Sequence, residues 1–190
     1  MSETGAQRNL ELKVRCEPGD LEQVQARLQN LLCSPIEHFH QVDTYLKVTK
    51  GRLKLREFHS LASPSTVERA QLIAYHRPSE AGSRFSTYEV VPIAGQHAEA
   101  LLRSLLMTHD ELVRIDKQRR VAIVGHTRVH LDRVAGLGDF VELETVIAGI
   151  DDAQGAADHA QVIAALGLDR LPSEAGSYSD LALQRAALEG

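Results

Sequence analysis

Residues 8–16 read RNLELKVRC, and their alternation decides the fold. In an extended chain Leu10, Leu12 and Val14 fall on one side, and Asn9, Glu11, Lys13 and Arg15 fall on the other. The segment is therefore a strand with one apolar and one charged face. Pro18 and Gly19 stop it. Asp20 and Gln23 then have capping-box spacing, and Leu21, Val24, Leu28, Leu31 and Leu32 recur at helical spacing, which predicts an amphipathic helix over 21–32.

The period-two pattern returns along the chain. Strands are expected at 37–48, 52–58, 71–78 and 84–93, then near 112–124, 126–133 and 139–147. The Ser-rich stretch 60–69 reads as a loop. Helices are expected at 95–107 and about 153–166, the latter closed by Gly167, with a short one after Ser177. The expected fold class is mainly β (α+β): an eight-stranded antiparallel closed β-barrel, or tunnel, with peripheral helices. No internal repeat or linker interrupts the 190 residues, so one domain is expected over 1–190, with its core at about 8–181. A chain of this size buries roughly 70% of the surface its unfolded form exposes, enough for a real core.

Composition excludes several classes of function. The net charge of −5 argues against a general nucleic-acid binder. No apolar run approaches the ~20 residues that cross a bilayer, and MSETGAQRN lacks the apolar centre of a signal peptide, so a cytoplasmic protein with no membrane partner is expected. Cys16 and Cys33 form no CxxC and are expected to be buried free thiols. His126 and His130 sit four apart, but in a strand-like stretch, which weakens a helical metal-site reading.

The charges raise the question of which strand face is the interior. In a half-exposed strand the charged face ordinarily meets water. Here the pairs repeat: Glu11, Lys13 and Arg15; Lys54 and Arg56; Tyr75 and Arg77; Lys117 and Arg119; Glu142 and Glu144. Helices at 21–32 and 95–107 could cover the apolar outer faces, leaving the charges to line the lumen. Two like charges about 4 Å apart repel by about 4 kcal/mol at an effective dielectric near 20, so such a lumen needs anions. Polyphosphate suits it: Arg pairs with phosphate oxygens through two hydrogen bonds, and Lys adds a compact charge. Glu142 and Glu144 lie about 6.6–6.8 Å apart along their strand, and Glu11 can approach from another. Carboxylates beside phosphates need a cation between them, for which Mg2+ or Mn2+ is the ordinary choice, or else they pair with the neighbouring Lys and Arg.

These residues carry a family resemblance. The chain resembles the CYTH superfamily, the triphosphate tunnel metalloenzymes, which open on ExExK; here the strand reads NLELK, with Asn9 where the first glutamate belongs. RLKLRE at 52–57, YHRP at 75–78, RFSTYE at 84–89, DKQR at 116–119, LDRVAGLGDFVELE at 131–144 and SYSDL at 177–181 follow in family order. QVDTYL, GRLKLRE and RP look most like the class IV adenylate cyclase-like branch. The resemblance implies Glu11, Glu142, Glu144 and Asp132 at a metal, with Asp132 alternatively orienting a lysine. It implies Lys13, Arg15, Lys54, Arg56, Arg77, Arg84, Lys117 and Arg119 at phosphates. Catalysis would rest on Glu11, Lys13, Glu142 and Glu144. The implied substrate is a small triphosphate: ATP, cyclised to cyclic AMP and pyrophosphate, comes first. Inorganic or thiamine triphosphate hydrolysis is the alternative, and a non-catalytic polyphosphate- or nucleotide-binding module is the third reading. Self-association as a homodimer is left open. No GxxxxGK[ST] is present, and Gly136-Leu137-Gly138 reads as a hairpin turn rather than a dinucleotide loop.

Overall fold

The computed structural model describes residues 7–31, 33–76 and 84–189. Its strands are β1 (Gln7–Cys16), β2 (Glu37–Leu46), β3 (Arg52–His59), β4 (Val67–His76), β5 (Arg84–Ala94), β6 (Glu111–Val124), β7 (Thr127–Val134) and β8 (Gly138–Val146). Helix α1 (Asp20–Gln29) follows β1, α2 (Gly95–Leu106) follows β5, and α3 (Asp152–Leu166) and α4 (Tyr178–Glu189) follow β8. The protein is mainly β, and all the strand pairings are antiparallel. Strand order is β1-β5-β4-β3-β2-β6-β7-β8, and β1 pairs with β8 as well as with β5.

Register places the charges. Residues directly opposite each other share a face. Glu11 stands across from Glu144 and Lys13 from Glu142; Arg56 stands across from Asp43, and Arg119 from Asp132. These side chains point inward, and the apolar faces point outward. Val14, Val129, Leu131, Val141 and Leu143 are buried on that outer side, against Leu21, Val24 and Leu28 of α1 and Val162 and Leu166 of α3. Each fully buried Val or Leu contributes about 1.5–3 kcal/mol, so this layer, rather than the interior, is the main apolar core. A smaller cluster joins Leu55 and Ala70 to Ala98 of α2. Gly95 lets α2 start against β4, because a Cβ there would collide with the backbone of Val67 and Glu68. At one end of the strands Tyr178 of α4 packs edge-on to Phe140, ring centroids 5.1 Å apart, among Tyr45, Ile115, Val134 and Leu181.

Several local expectations change. The cover expected from helices 21–32 and 95–107 comes largely from α1 and α3, since α2 buries only Ala98. The Asp20–Gln23 capping box does not form: Gly19 is the N-cap, and the Asp20 carboxylate accepts from Glu17 N at 3.0 Å. α1 stops at Gln29, although Leu31 still packs on the core. The loop expected to 69 ends earlier, because β-branched Val67 opens β4 and a bulge at Phe58/His59 absorbs the register. Of the two thiols, Cys16 is buried and Cys33 only half-buried. Burial, with Asp20 and Asp139 nearby, pushes the Cys16 thiol up to about 12. No helix is long and apolar enough to cross a membrane among the described residues.

Candidate active site

A cavity of about 390 Å³ lies among the inward faces. One wall is cationic. Lys54, Arg56 and Lys117, from β3 and β6, line it, and behind them stands Asp43 of β2, whose side chain is 1% exposed. Arg56 donates from Nε to Asp43 Oδ1 at 2.8 Å and from Nη2 to Oδ2 at 3.0 Å. Lys54 Nζ donates to Oδ2 at 2.9 Å, and Lys117 Nζ lies 3.6 Å from the same oxygen. Burial alone would raise the Asp43 carboxyl, but Arg56, Lys54 and Lys117 hold it well below the usual carboxylate range. Burial and the charge of Arg119 bring Lys117 down to about 7.

The facing wall holds the carboxylates. Glu11 on β1 and Glu142 and Glu144 on β8 line the cavity together with Asn9 and Lys13. Glu142 accepts from Arg119 Nη2 at 3.0 Å and lies 3.6 Å from Lys13 Nζ. Glu144 lies 3.2 Å from His130 Nε2 and 3.6 Å from Arg128 Nη1. Burial opposes the charge of Glu144, yet His130 holds it well below the usual range.

Asp132 is fully buried and does not line the cavity. It grips Arg119 with both oxygens, at 2.6 and 2.5 Å, and accepts from the Tyr178 hydroxyl at 2.8 Å. Its partner is therefore an arginine rather than a lysine. Arg15 is also placed elsewhere: Glu174 holds it at 2.8 Å, and its Nη1 donates to Leu137 O. Lys13 donates to Gly176 O at 3.2 Å and stands 4.0 Å above the Tyr178 ring. Arg84 is the register partner of Glu11, but its side chain lies outside the described residues, as does the whole of Arg77.

Sequence reasoning missed Asp43, Arg128, His130, Tyr45 and Tyr178. The alternation in HTRVHLDR at 126–133 puts Arg128, His130 and Asp132 on one face, so two of these were recoverable. Tyr178 lies in the SYSDL motif at 177–181, but no strand alternation points it at the cavity, because it enters from a separate helix.

The donor chemistry suits a hard divalent cation: three carboxylates and the Asn9 amide oxygen face one cavity. Glu11 and Glu144 are cross-strand partners, which sets their Cβ atoms about 4.5–5.5 Å apart. Among the described residues no three His, Cys, Asp or Glu side chains converge on one ion-sized point. Glu142 is turned to Arg119 and Lys13, and Glu144 to His130 and Arg128. Cation binding would draw these side chains away from their present partners.

Residues 7–178 match the family model of the CYTH domain. The PH1012 protein of Pyrococcus horikoshii OT3 is similar in fold, with a TM-score of 0.74 at 18% identity, over 91% of this chain and 98% of that one. So is a candidate adenylate cyclase from Vibrio parahaemolyticus, with a TM-score of 0.67 at 19% identity, over 94% and 99%. The Hippeastrum protein HpAC1, a candidate adenylyl cyclase described with a dominant triphosphatase activity, has a TM-score of 0.60 at 16% identity, over 95% and 96%. No curated protein matches the sequence significantly.

Proposed function

We propose, from the premise that the chain belongs to the CYTH domain family, that the protein is a divalent-metal-dependent enzyme acting on a small triphosphate held in a closed strand tunnel. The observation that carries this reading is one 390 Å³ cavity with Lys54, Arg56 and Lys117 on one wall and Glu11, Glu142 and Glu144 on the other. The cations bind and neutralise phosphate oxygens; Asp43 takes the Nε/Nη2 edge of Arg56, which leaves its Nη1/Nη2 edge as a planar donor pair for them. Glu11, Glu142 and Glu144, with Asn9, would hold Mg2+ or Mn2+, which supplies neutralisation of phosphate charge and activation of the attacking oxygen. Catalysis is then positioning plus electrostatics, without a protein nucleophile. The two free cysteines accord with a reducing compartment, and we assign the protein to the cytoplasm.

Hydrolysis with release of orthophosphate is the reaction this lining supplies with the fewest further parts, since it asks for a triphosphate, a cation and water. Cyclisation of ATP, which the sequence placed first, is favoured by a second feature. Ile73 and Tyr75 of β4 stand across from Val90 and Tyr88 of β5, forming a less polar part of the lining against which a nucleoside could rest. Incubation with ATP, tripolyphosphate or thiamine triphosphate in Mg2+ or Mn2+, resolved by 31P NMR, separates the two. Orthophosphate selects hydrolysis, cyclic AMP with pyrophosphate selects cyclisation, and binding without turnover removes both. E142A and E144A are expected to abolish turnover with the circular dichroism spectrum unchanged. Arg119 keeps both bonds to Asp132 when Glu142 is lost. Activity retained in both variants would remove the metal assignment.

A further inference from the structure

Asp43 is a buried carboxylate surrounded by the cations that the proposed function uses, yet it does not itself line the cavity. Resting on that functional reading, we infer that Asp43 is a positioning residue: it anchors Lys54, Arg56 and Lys117 from behind, so that their remaining donors face a bound triphosphate.

The geometry is that of an anchor. Asp43 lies on β2 between β3 and β6, and its register partners are Arg56 on one side and Ile115 on the other. Arg56 reaches both of its oxygens, Lys54 takes Oδ2 at 2.9 Å, and Lys117 stands 3.6 Å from that oxygen. Gln41, across from Lys117, donates to Oδ1 at 3.1 Å and helps fix the plane of the carboxylate. One anion thus gathers three cations contributed by two different strands. Long Lys and Arg side chains lose much rotamer freedom when held in one geometry. Held together without a counter-charge, three desolvated cations repel, and they would turn away from one another or shed a proton. Because the cations lie between Asp43 and the cavity, the anchor arranges them while their own charges stand nearer to the ligand.

A purely electrostatic view predicts the opposite result, since removing a nearby negative charge should strengthen binding of a polyanion. The test is calorimetric titration of tripolyphosphate in EDTA, where no metal-dependent turnover occurs, at a temperature at which circular dichroism shows each variant fully folded. D43N is expected to weaken binding on the order of 10- to 100-fold, the loss of one or two positioned charge-assisted contacts. D43E keeps the charge and displaces it by one methylene, so its affinity should fall between those of wild type and D43N. D110N removes a surface carboxylate of the same charge and should bind as wild type does. Folded D43N binding as tightly as wild type, or more tightly, overturns the inference. If D43N does not fold, D43E decides: weaker binding than wild type supports the anchor, and equal binding overturns it. Wild-type protein that binds no tripolyphosphate in EDTA, and none when Mn2+ is restored, removes the functional reading and this inference with it; where binding needs Mn2+, the same comparison of variants is made in Mn2+. Tight wild-type binding matched by D43N removes this inference alone.

Discussion

Asn9 stands at the start of the carboxylate wall, 3% exposed, and its Oδ1 faces the Tyr88 hydroxyl at 3.5 Å. A neutral amide offers an oxygen to a cation but no charge, and ligand charge count is one of the terms that set divalent-cation affinity. Asn9→Glu would add a fourth carboxylate to Glu11, Glu142 and Glu144. We expect it to tighten Mn2+ binding roughly tenfold in a calorimetric titration. An unchanged affinity would show that position 9 lies beyond reach of the ion. At the same scale, Asp43 and Asp132 show how a tunnel rich in Lys and Arg persists without a ligand. Among the described residues, Lys54, Arg56 and Lys117 lean on Asp43, and Arg119 leans on Asp132 and Glu142, so these cations are held by carboxylates before substrate arrives.

Among the elements, α3 shows how the outer face is sealed around a polar group. Its N-cap Asp151 accepts from Gln154 N at 2.7 Å, and Gly167 ends it in the left-handed region, φ 65°. On its inward face His159 is buried and bonds Thr145 Oγ1 through Nδ1 at 2.8 Å, with Thr127 joined to Thr145 at 2.7 Å. Burial lowers the His159 imidazole to about 4. The unfolded chain takes up this proton near pH 6.5 and the folded chain only near 4. Stability is therefore lost as pH falls from about 6.5 towards 4, by roughly 2–3 kcal/mol at pH 4.5. Urea denaturation at pH 7 and 4.5 should show this loss in wild type. His159→Gln should lack that part of it, and an equal loss in both proteins would place the acid sensitivity elsewhere.

For the whole molecule, the decisive contact is between the last helix and the interior. Tyr178 packs on Phe140, bonds Asp132 and lies beneath Lys13, 4.0 Å away, and Lys117, 4.9 Å away. Arg52 ties the same turn through Ser177 and Asp180, both at 2.8 Å. One side chain thus connects the end of the chain to both walls of the cavity. Tyr178→Ala should cost about 3–5 kcal/mol, as emptying a buried aromatic site does. Tyr178→Phe, which removes only the hydroxyl, should cost about 1–2 kcal/mol. Equal losses in equilibrium unfolding would mean that the hydrogen bond to Asp132, rather than packing, carries the contact.

Sequence alone determined the strands and their two faces, because side-chain direction in a strand depends only on parity along the chain. RNLELKVRC and RLKLREF therefore showed Glu11, Lys13, Lys54 and Arg56 sharing faces, and the motif order carried the family. Parity cannot tell which strands become neighbours. That is decided by register over long sequence separations, and register set Glu11 across from Glu144 and Arg119 across from Asp132. It turned Asp132 into a partner of Arg119, drew Arg15 out to Glu174, and made Asp43 the centre of the cationic wall. The tertiary structure decided these roles for a physical reason: a buried charge must find its counter-charge in space, and here those partners lie on other strands or on the far end of the chain.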